Sequence, residues 1–180
     1  MKQLVQEILD FYFLKMRAPD ISELSEIKNT PPLSEKWACF VTLYFKWEVR
    51  GSAGNIKEIH ESLAEEILAN TLEAISKDSR FSPLKLEEKE WISYRVDHIK
   101  ERTMIDLEEA RKLDPLKHGI IAIKRDYEKL AVILPNISAK LLLWNDLITV
   151  IGNKLSDSKL GDKNYIFYKI ETDTERSEVR

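Results

Sequence analysis

Apolar residues recur at helical spacing over the start of the chain: Leu4, Val5, Ile8, Leu9, Phe11, Tyr12 and Met16, with Lys2, Glu7, Asp10 and Lys15 between them. The spacing predicts an amphipathic helix that ends before Pro19. The aromatic group Phe11, Tyr12 and Phe13 reads as core packing rather than as a partner groove. From Pro19 to Lys36 the sequence is loop-like, with a helical turn or two over Ser22 to Lys28. Asn29-Thr30-Pro31-Pro32 can continue neither a helix nor a central strand. Phe40 to Phe45 then form a run without a polar face, which predicts a strand covered on both sides. Lys46, Trp47 and Glu48 make a polar break suited to a turn.

Further on, Ser62-Leu63-Ala64-Glu65 has capping-box form ahead of an apolar helical face that includes Ile67, Leu68, Leu72 and Ile75. Ile56 to Glu61 suits a short extra helical turn. Leu86 to Trp91 suits another, with Glu87 to Glu90 as a solvated charge run. Ile92, Tyr94 and Val96 alternate with Ser93, Arg95 and Asp97, which predicts a half-buried strand with a bulge or an end near Ile99. His98 falls on the apolar parity and reads as a packing residue. Met104 to Leu113 suits a short charged helix or loop.

Gly119 to Ile123 and Leu130 to Leu134 are dense apolar runs around a polar link, the pattern of a hairpin of buried strands. Pro135 stops the second strand. Ser138 can cap a buried helix running to about Gly152 through Leu141, Leu142, Trp144, Leu147, Ile148 and Ile151. Tyr165 to Ile170 is a last strand, and residues 172–180 read as a frayed polar tail. Helices and strands do not alternate as βαβ units. The fold expected is therefore α+β, a mostly antiparallel sheet flanked by helices, forming one domain over residues 1–171 with room for a small subdomain.

Candidate chemistry centres on Val49-Arg50-Gly51-Ser52-Ala53-Gly54, directly after extended structure. Two glycines around two small residues suit a turn whose amides form an anion-binding nest, with the Arg50 guanidinium beside it. An ordinary connection, with Arg50 solvated or braced by Asp78, accounts for the same residues. Asp78 stands at a helix C-terminus, where the macrodipole gives its charge no support. Pairing with Arg80 or orientation of Arg50 would explain it.

Four blocks in order carry a family resemblance. F-V-T-L with V-R-G-S-A-G, then Asp78-Ser79-Arg80-Phe81-Ser82-Pro83, His118-Gly119-Ile120 and Leu134-Pro135-Asn136-Ile137 resemble the signature blocks of the AMMECR family, known in bacteria and archaea as AmmeMemoRadiSam system protein A. Ser52 stands where that family has cysteine, Ala53 where it has isoleucine, and Asn136 where it has Gln or Glu. The resemblance implies an α+β fold of no firmly assigned reaction and partners that are a Memo-like and a radical-SAM protein. It places a cleft at the Arg50–Gly54 turn. Arg50, Gly51, Ser52, Gly54 and Asn136 are expected there as ligand-binding residues, with Arg80 or His118 at the rim. A small anion or a peptide end is the ligand class. The alternative is a small-substrate enzyme using Ser52 or an acid–base site in the same cleft. Serine needs an adjacent base to act as a nucleophile, and His118 is the candidate.

Composition narrows the rest. With 28 basic and 31 acidic residues the net charge is −3, which gives no electrostatic case for nucleic acid or an anionic membrane. Cys39 is the lone cysteine, so it can form no intrachain disulfide and no cysteine zinc site. It opens a buried strand and reads as an inert small hydrophobe. His60, His98 and His118 lack close ligand spacing, and neither a phosphate-binding loop nor a dinucleotide fingerprint occurs. No cofactor or metal is expected. Glu7 and Asp10 interrupt the first apolar stretch, so it is a poor signal peptide, and a cytoplasmic location is the expectation.

Overall fold

A computed structural model of the chain describes residues 1–137 and 147–177. The expected cap at Ser138 and the apolar positions Leu141, Leu142 and Trp144 lie outside those residues. The fold is α+β. Six strands form one antiparallel sheet in the order β2-β1-β3-β6-β4-β5. They are β1 Cys39–Phe45, β2 Glu48–Gly54, β3 Ile92–Ile105, β4 Gly119–Lys124, β5 Leu130–Ile133 and β6 Tyr165–Arg176. The helices are α1 Lys2–Lys15, α2 Leu63–Ser76, α3 Leu107–Ala110 and α4 Leu147–Leu155. The chain divides into two compact units, Met1–His98 with Asp173–Arg180, and Ile99–Thr172.

In the first unit α2 packs onto β1 and β2, and α1 packs against α2. Leu4, Val5, Ile8, Leu9 and Phe13 give α1 its buried stripe, and Met16 closes the helix in a left-handed cap. Ser62 caps α2 by accepting the Glu65 amide at 3.3 Å. Leu63, Ile67 and Ile75 of that helix meet Val41 and Leu43 of β1 in one core. Each such fully buried aliphatic side chain is worth roughly 1.5–3 kcal/mol. Short 3-10 turns at Ile21–Glu23, Glu26–Asn29 and Leu86–Trp91 fall where the polar stretches suggested single turns.

Three expectations need correction in this unit. The segment Val49 to Gly54 is not a turn but most of β2, paired with β1 in the register Thr42↔Ser52 and Phe40↔Gly54. The turn is the preceding pair, Lys46 and Trp47, both at positive φ (50° and 74°), the two-residue hairpin form that matches strand twist. Ile56 to Glu61 forms no helical turn and is an irregular loop. The part of β3 from Ile92 to Ile99 is buried on both faces, not half-buried, and the strand continues through Ile99 to Ile105 without the expected end. Its polar face is buried because Arg95 Nε donates to Asp97 Oδ2 at 2.6 Å, neutralising two charges two residues apart on one face.

The expected frayed tail is also a strand as far as Arg176. Within the first unit, Thr174 Oγ1 donates to Asp97 Oδ1 at 2.7 Å, and the Ser177 amide donates to the Tyr94 carbonyl at 2.9 Å. Polar side chains are no obstacle to strand structure where buried partners take up their hydrogen bonds.

In the second unit, β4 pairs antiparallel with both β5 and β6. Ile120, Ala122, Ile133, Leu147, Ile151, Tyr165 and Phe167 form its core. Leu130 departs from the expected burial and is half exposed, and Leu134 lies just beyond the strand. The outer edge of β5 is covered in part by a cation, since Lys154 Nζ donates to the Val132 carbonyl at 2.6 Å. A charged side chain on an edge strand discourages pairing with another chain.

The glycines of β2 serve close approach rather than unusual dihedrals. Among the described residues no glycine has positive φ. A Cβ on Gly51 would stand 2.1 Å from the Ala74 carbonyl oxygen of α2, and one on Gly54 would stand 2.1 Å from the Phe40 ring. Backbone cannot yield as a side-chain tip can. Gly51→Ala is therefore expected to destabilise the fold by about 3 kcal/mol or more. Urea unfolding followed by circular dichroism measures this, and a midpoint within error of the wild type would contradict the packing.

Candidate functional site

The pairing of β1 with β2 shifts by one residue where Tyr44 faces Val49 and Leu43 faces Gly51. Arg50 is the extra residue of this bulge. A bulge turns its strand and re-aims a side chain, and here it sends the guanidinium to the segment that follows α2. Arg50 Nε donates to Glu88 Oε1 at 2.7 Å and Nη2 to Glu88 Oε2 at 2.9 Å, a two-pronged pair. Nη1 donates to the Ser82 carbonyl at 2.9 Å, and Nη2 also reaches the Pro83 carbonyl at 3.4 Å. The pair is largely withdrawn from water, at 14% and 19% side-chain exposure. The Arg50 hydrogen bond holds the Glu88 carboxyl below its usual range.

Asp78 is held from two sides. Arg80 Nη2 donates to Oδ2 at 2.6 Å and Nε to Oδ1 at 2.9 Å, while the Ser52 amide donates to Oδ2 at 2.9 Å. The Arg80 pairing accounts for an acid at a helix C-terminus. Led by that hydrogen bond, these contacts lower the Asp78 pKa to about 2. The Arg80 guanidinium lies 5.2 Å from the Phe81 ring centroid and is 59% exposed. Ser52 Oγ lies 3.0 Å from Thr42 Oγ1, the residue opposite it on β1. A hydroxyl partner is no general base.

In the first unit Arg50 and Ser52 of β2 thus reach the loop that carries Arg80, from Asp78 to Pro83, while Gly51 and Gly54 lie on the same strand against Ala74 and Phe40. His118 and Asn136 belong to the second unit. There the Asn136 amide donates to the Pro115 carbonyl and the His118 amide to the Asp114 carbonyl, both at 2.8 Å. Asn136 is exposed at φ 48°, and His118 Nε2 lies 3.9 Å from Glu171 Oε1. That unit also holds a cavity of about 520 Å³ lined by Arg111, Asn153, Asp157 and their neighbours; none of the expected site residues lines it.

The residues that the sequence does not point to are Glu88 and Thr42. Glu88 sits in a run of charges that looks solvated, and only the return of the chain from 38 positions away makes it a partly buried partner. Cys39 matches its reading: it is fully buried, Asn70 Nδ2 donates to its sulfur, and burial pushes the thiol up to about 12.

Comparison with other proteins agrees with this α+β fold. The chain belongs to the AMMECR1 family, whose profile matches residues 3–154. It is 31% identical over 135 residues to protein CA_C1420 of Clostridium acetobutylicum, a match that covers 75% of this chain and 27% of that protein. The chain thus spans only about a quarter of that relative's length. Its fold is that of the crystal structure of the uncharacterized protein PH0010 from Pyrococcus horikoshii, with a TM-score of 0.81, 22% identity, and coverage of 99% of this chain and 90% of that one. Among the described residues no helix is long and apolar enough to cross a membrane.

Two outcomes follow from this geometry. Arg50→Ala leaves Glu88 and two carbonyls without their donor and should cost about 2–3 kcal/mol in urea unfolding; a loss below about 0.5 kcal/mol would show a merely superficial arginine. Asp78 and Glu88 have depressed pKa values in the folded state. Their stabilisation is complete above the unfolded carboxylate range, near pH 4, and is lost as pH falls toward about 2. Asp78→Asn should lose less stability than the wild type between pH 4 and pH 2, by roughly 1–2 kcal/mol after allowance for the exposure of Arg80. Parallel acid titration curves for the two proteins would refute the assignment.

Proposed function

We propose that the chain is a binding or accessory module of an AmmeMemoRadiSam-type system, acting with a Memo-like and a radical-SAM protein rather than carrying out a reaction of its own. The observation that carries this reading is the state of the motif. The Arg50 guanidinium is committed to Glu88 and two carbonyls, and the Ser52 hydroxyl faces a second hydroxyl. Groups held in this way brace a surface; they do not attack a substrate. The Clostridium relative supports the same reading, because the matching 135 residues are 27% of that protein and work there as part of a longer polypeptide.

The contact surface in the first unit is β2 with the loop after α2. Arg80 is its exposed, planar cation, suited to a carboxylate on a partner or to a small anion. Arg50, Gly51, Ser52 and Gly54 set the shape beneath it.

Calorimetry of the folded chain with purified Memo-like and radical-SAM proteins of the same source tests this. Binding to at least one is expected, weakened about tenfold by Arg80→Ala. Ser52→Ala should leave affinity within about twofold of the wild type, since it removes no contact with the partner. Absence of binding to both, together with turnover of a small substrate that Ser52→Ala abolishes, would replace this reading with the enzymatic one.

A further inference from the structure

The cavity of about 520 Å³ in the second unit shares no residue with the motif of β2, and its wall carries both signs of charge. One side of it is the last turn of α4 and the loop that follows. That helix closes with two paired bonds, the Asp157 amide to the Gly152 carbonyl at 3.0 Å and the Ser156 amide to the Asn153 carbonyl at 3.2 Å. Such a closure needs a left-handed residue, and glycine is the usual one. Here it is Ser156, at φ 50°. A Cβ on Gly152 would stand 3.1 Å from the Asp157 carbonyl oxygen and 3.5 Å from Leu160 Cδ1, so bare backbone at 152 lets the loop fold back across the helix end. The cavity wall therefore holds Asn153, Ser156 and Asp157 beside Ile148 and Leu160, with Arg111 from the end of α3.

Asp157 is a fixed anion. The hydroxyl of Tyr165, a residue almost wholly buried, donates to Oδ2 at 2.7 Å, and the Lys159 amide donates to Oδ1 at 2.8 Å. The Tyr165 hydrogen bond leads the causes that hold this carboxyl below its usual range, and Lys129 and Lys124 add to it. Each oxygen can accept a second bond. Arg111 keeps its charge at any ordinary pH and presents five donors in a planar fork. A free cation in the cavity would meet Arg111 and the field of Lys124 and Lys129. A free anion would meet Asp157. A molecule that carries both charges meets neither penalty and gains from each wall charge. Ile148 and Leu160 offer the same molecule an apolar surface, and the volume falls in the range of small-molecule sites.

We propose that this cavity binds a free α-amino acid with an apolar side chain: Asp157 and Ser156 take the ammonium group, Arg111 takes the carboxylate, and Ile148 and Leu160 receive the side chain. The accessory-module reading rests on the first unit and the amino-acid site on the second, so either fails without the other.

Nuclear magnetic resonance of the folded, isotope-labelled chain tests the site. L-leucine is compared with two molecules that each lack one charge, isocaproate without the ammonium and isoamylamine without the carboxylate. Leucine is expected to shift the Asn153, Ser156 and Asp157 amides saturably, with a Kd of about 0.1 mM or tighter, and each singly charged molecule to bind about tenfold or more weakly. Equal affinity for all three would overturn the zwitterion class. Absence of a saturable shift with leucine, methionine or phenylalanine up to about 20 mM would overturn the site.

Two substitutions separate contact from support. Arg111→Gln should weaken leucine and isocaproate about tenfold and leave isoamylamine within about twofold. Asp157→Asn should weaken leucine and isoamylamine by the same factor and leave isocaproate. A residue that only holds the wall in place would, when replaced, weaken all three molecules alike, and that result would overturn its contact role. Should Asp157→Asn fail to fold without its Tyr165 bond, Ser156→Gly decides the ammonium end. Glycine suits the left-handed position, so the urea midpoint should hold or rise while leucine binding weakens about threefold or more. Leucine affinity equal to that of the wild type would overturn the ammonium assignment.

Discussion

The Ala74 carbonyl of α2 occupies the place where a side chain on Gly51 would begin. Helix and strand therefore meet backbone to backbone, and much of the first unit depends on that closeness. The next residue of α2, Ile75, accepts the Leu84 amide at 2.8 Å, which draws the loop after the helix back along it. In that position Asp78 can reach the Ser52 amide, and the bulged Arg50 can reach Ser82, Pro83 and Glu88. A side chain at position 51 would push the helix off the strand and stretch each of these bonds together.

Arginine, serine and glycine in one short segment resemble the parts of an active site, and each has a structural contact here. The bulge gives Arg50 its direction, the bidentate pair fixes it, and the shortage of side-chain volume admits the helix. What is exposed lies beside the motif. The Arg80 guanidinium, held in place by Asp78 and backed by Phe81, is open to solvent there.

Much of the architecture was legible in the sequence. Unbroken apolar runs marked β1, β4 and β5, period-two alternation marked the start of β3, and Ser62 marked the start of α2. The failures share one physical cause: local chemistry was read without its distant partner. Glycines signalled a turn because positive φ is their commoner use, while close packing against Ala74 cannot be seen from neighbours in sequence. Asp97 looked solvated because Thr174, which donates to it, lies 77 positions later. Residues 172–176 looked like a tail because the partners that hold them, Asp97 and Tyr94, lie some eighty positions earlier. Of the candidate site, the Asp78–Arg80 pair was readable at a spacing of two, whereas Arg50 with Glu88 was not.

A double-mutant cycle between Arg50 and Glu88 tests most directly whether the motif's arginine serves architecture. Arg50→Ala, Glu88→Ala and the double variant are compared in urea unfolding near neutral pH. A withdrawn, bidentate pair predicts a coupling of about 1–2 kcal/mol. Additive losses, with coupling under about 0.3 kcal/mol, would mean that Arg50 braces nothing and is available for chemistry or binding of its own.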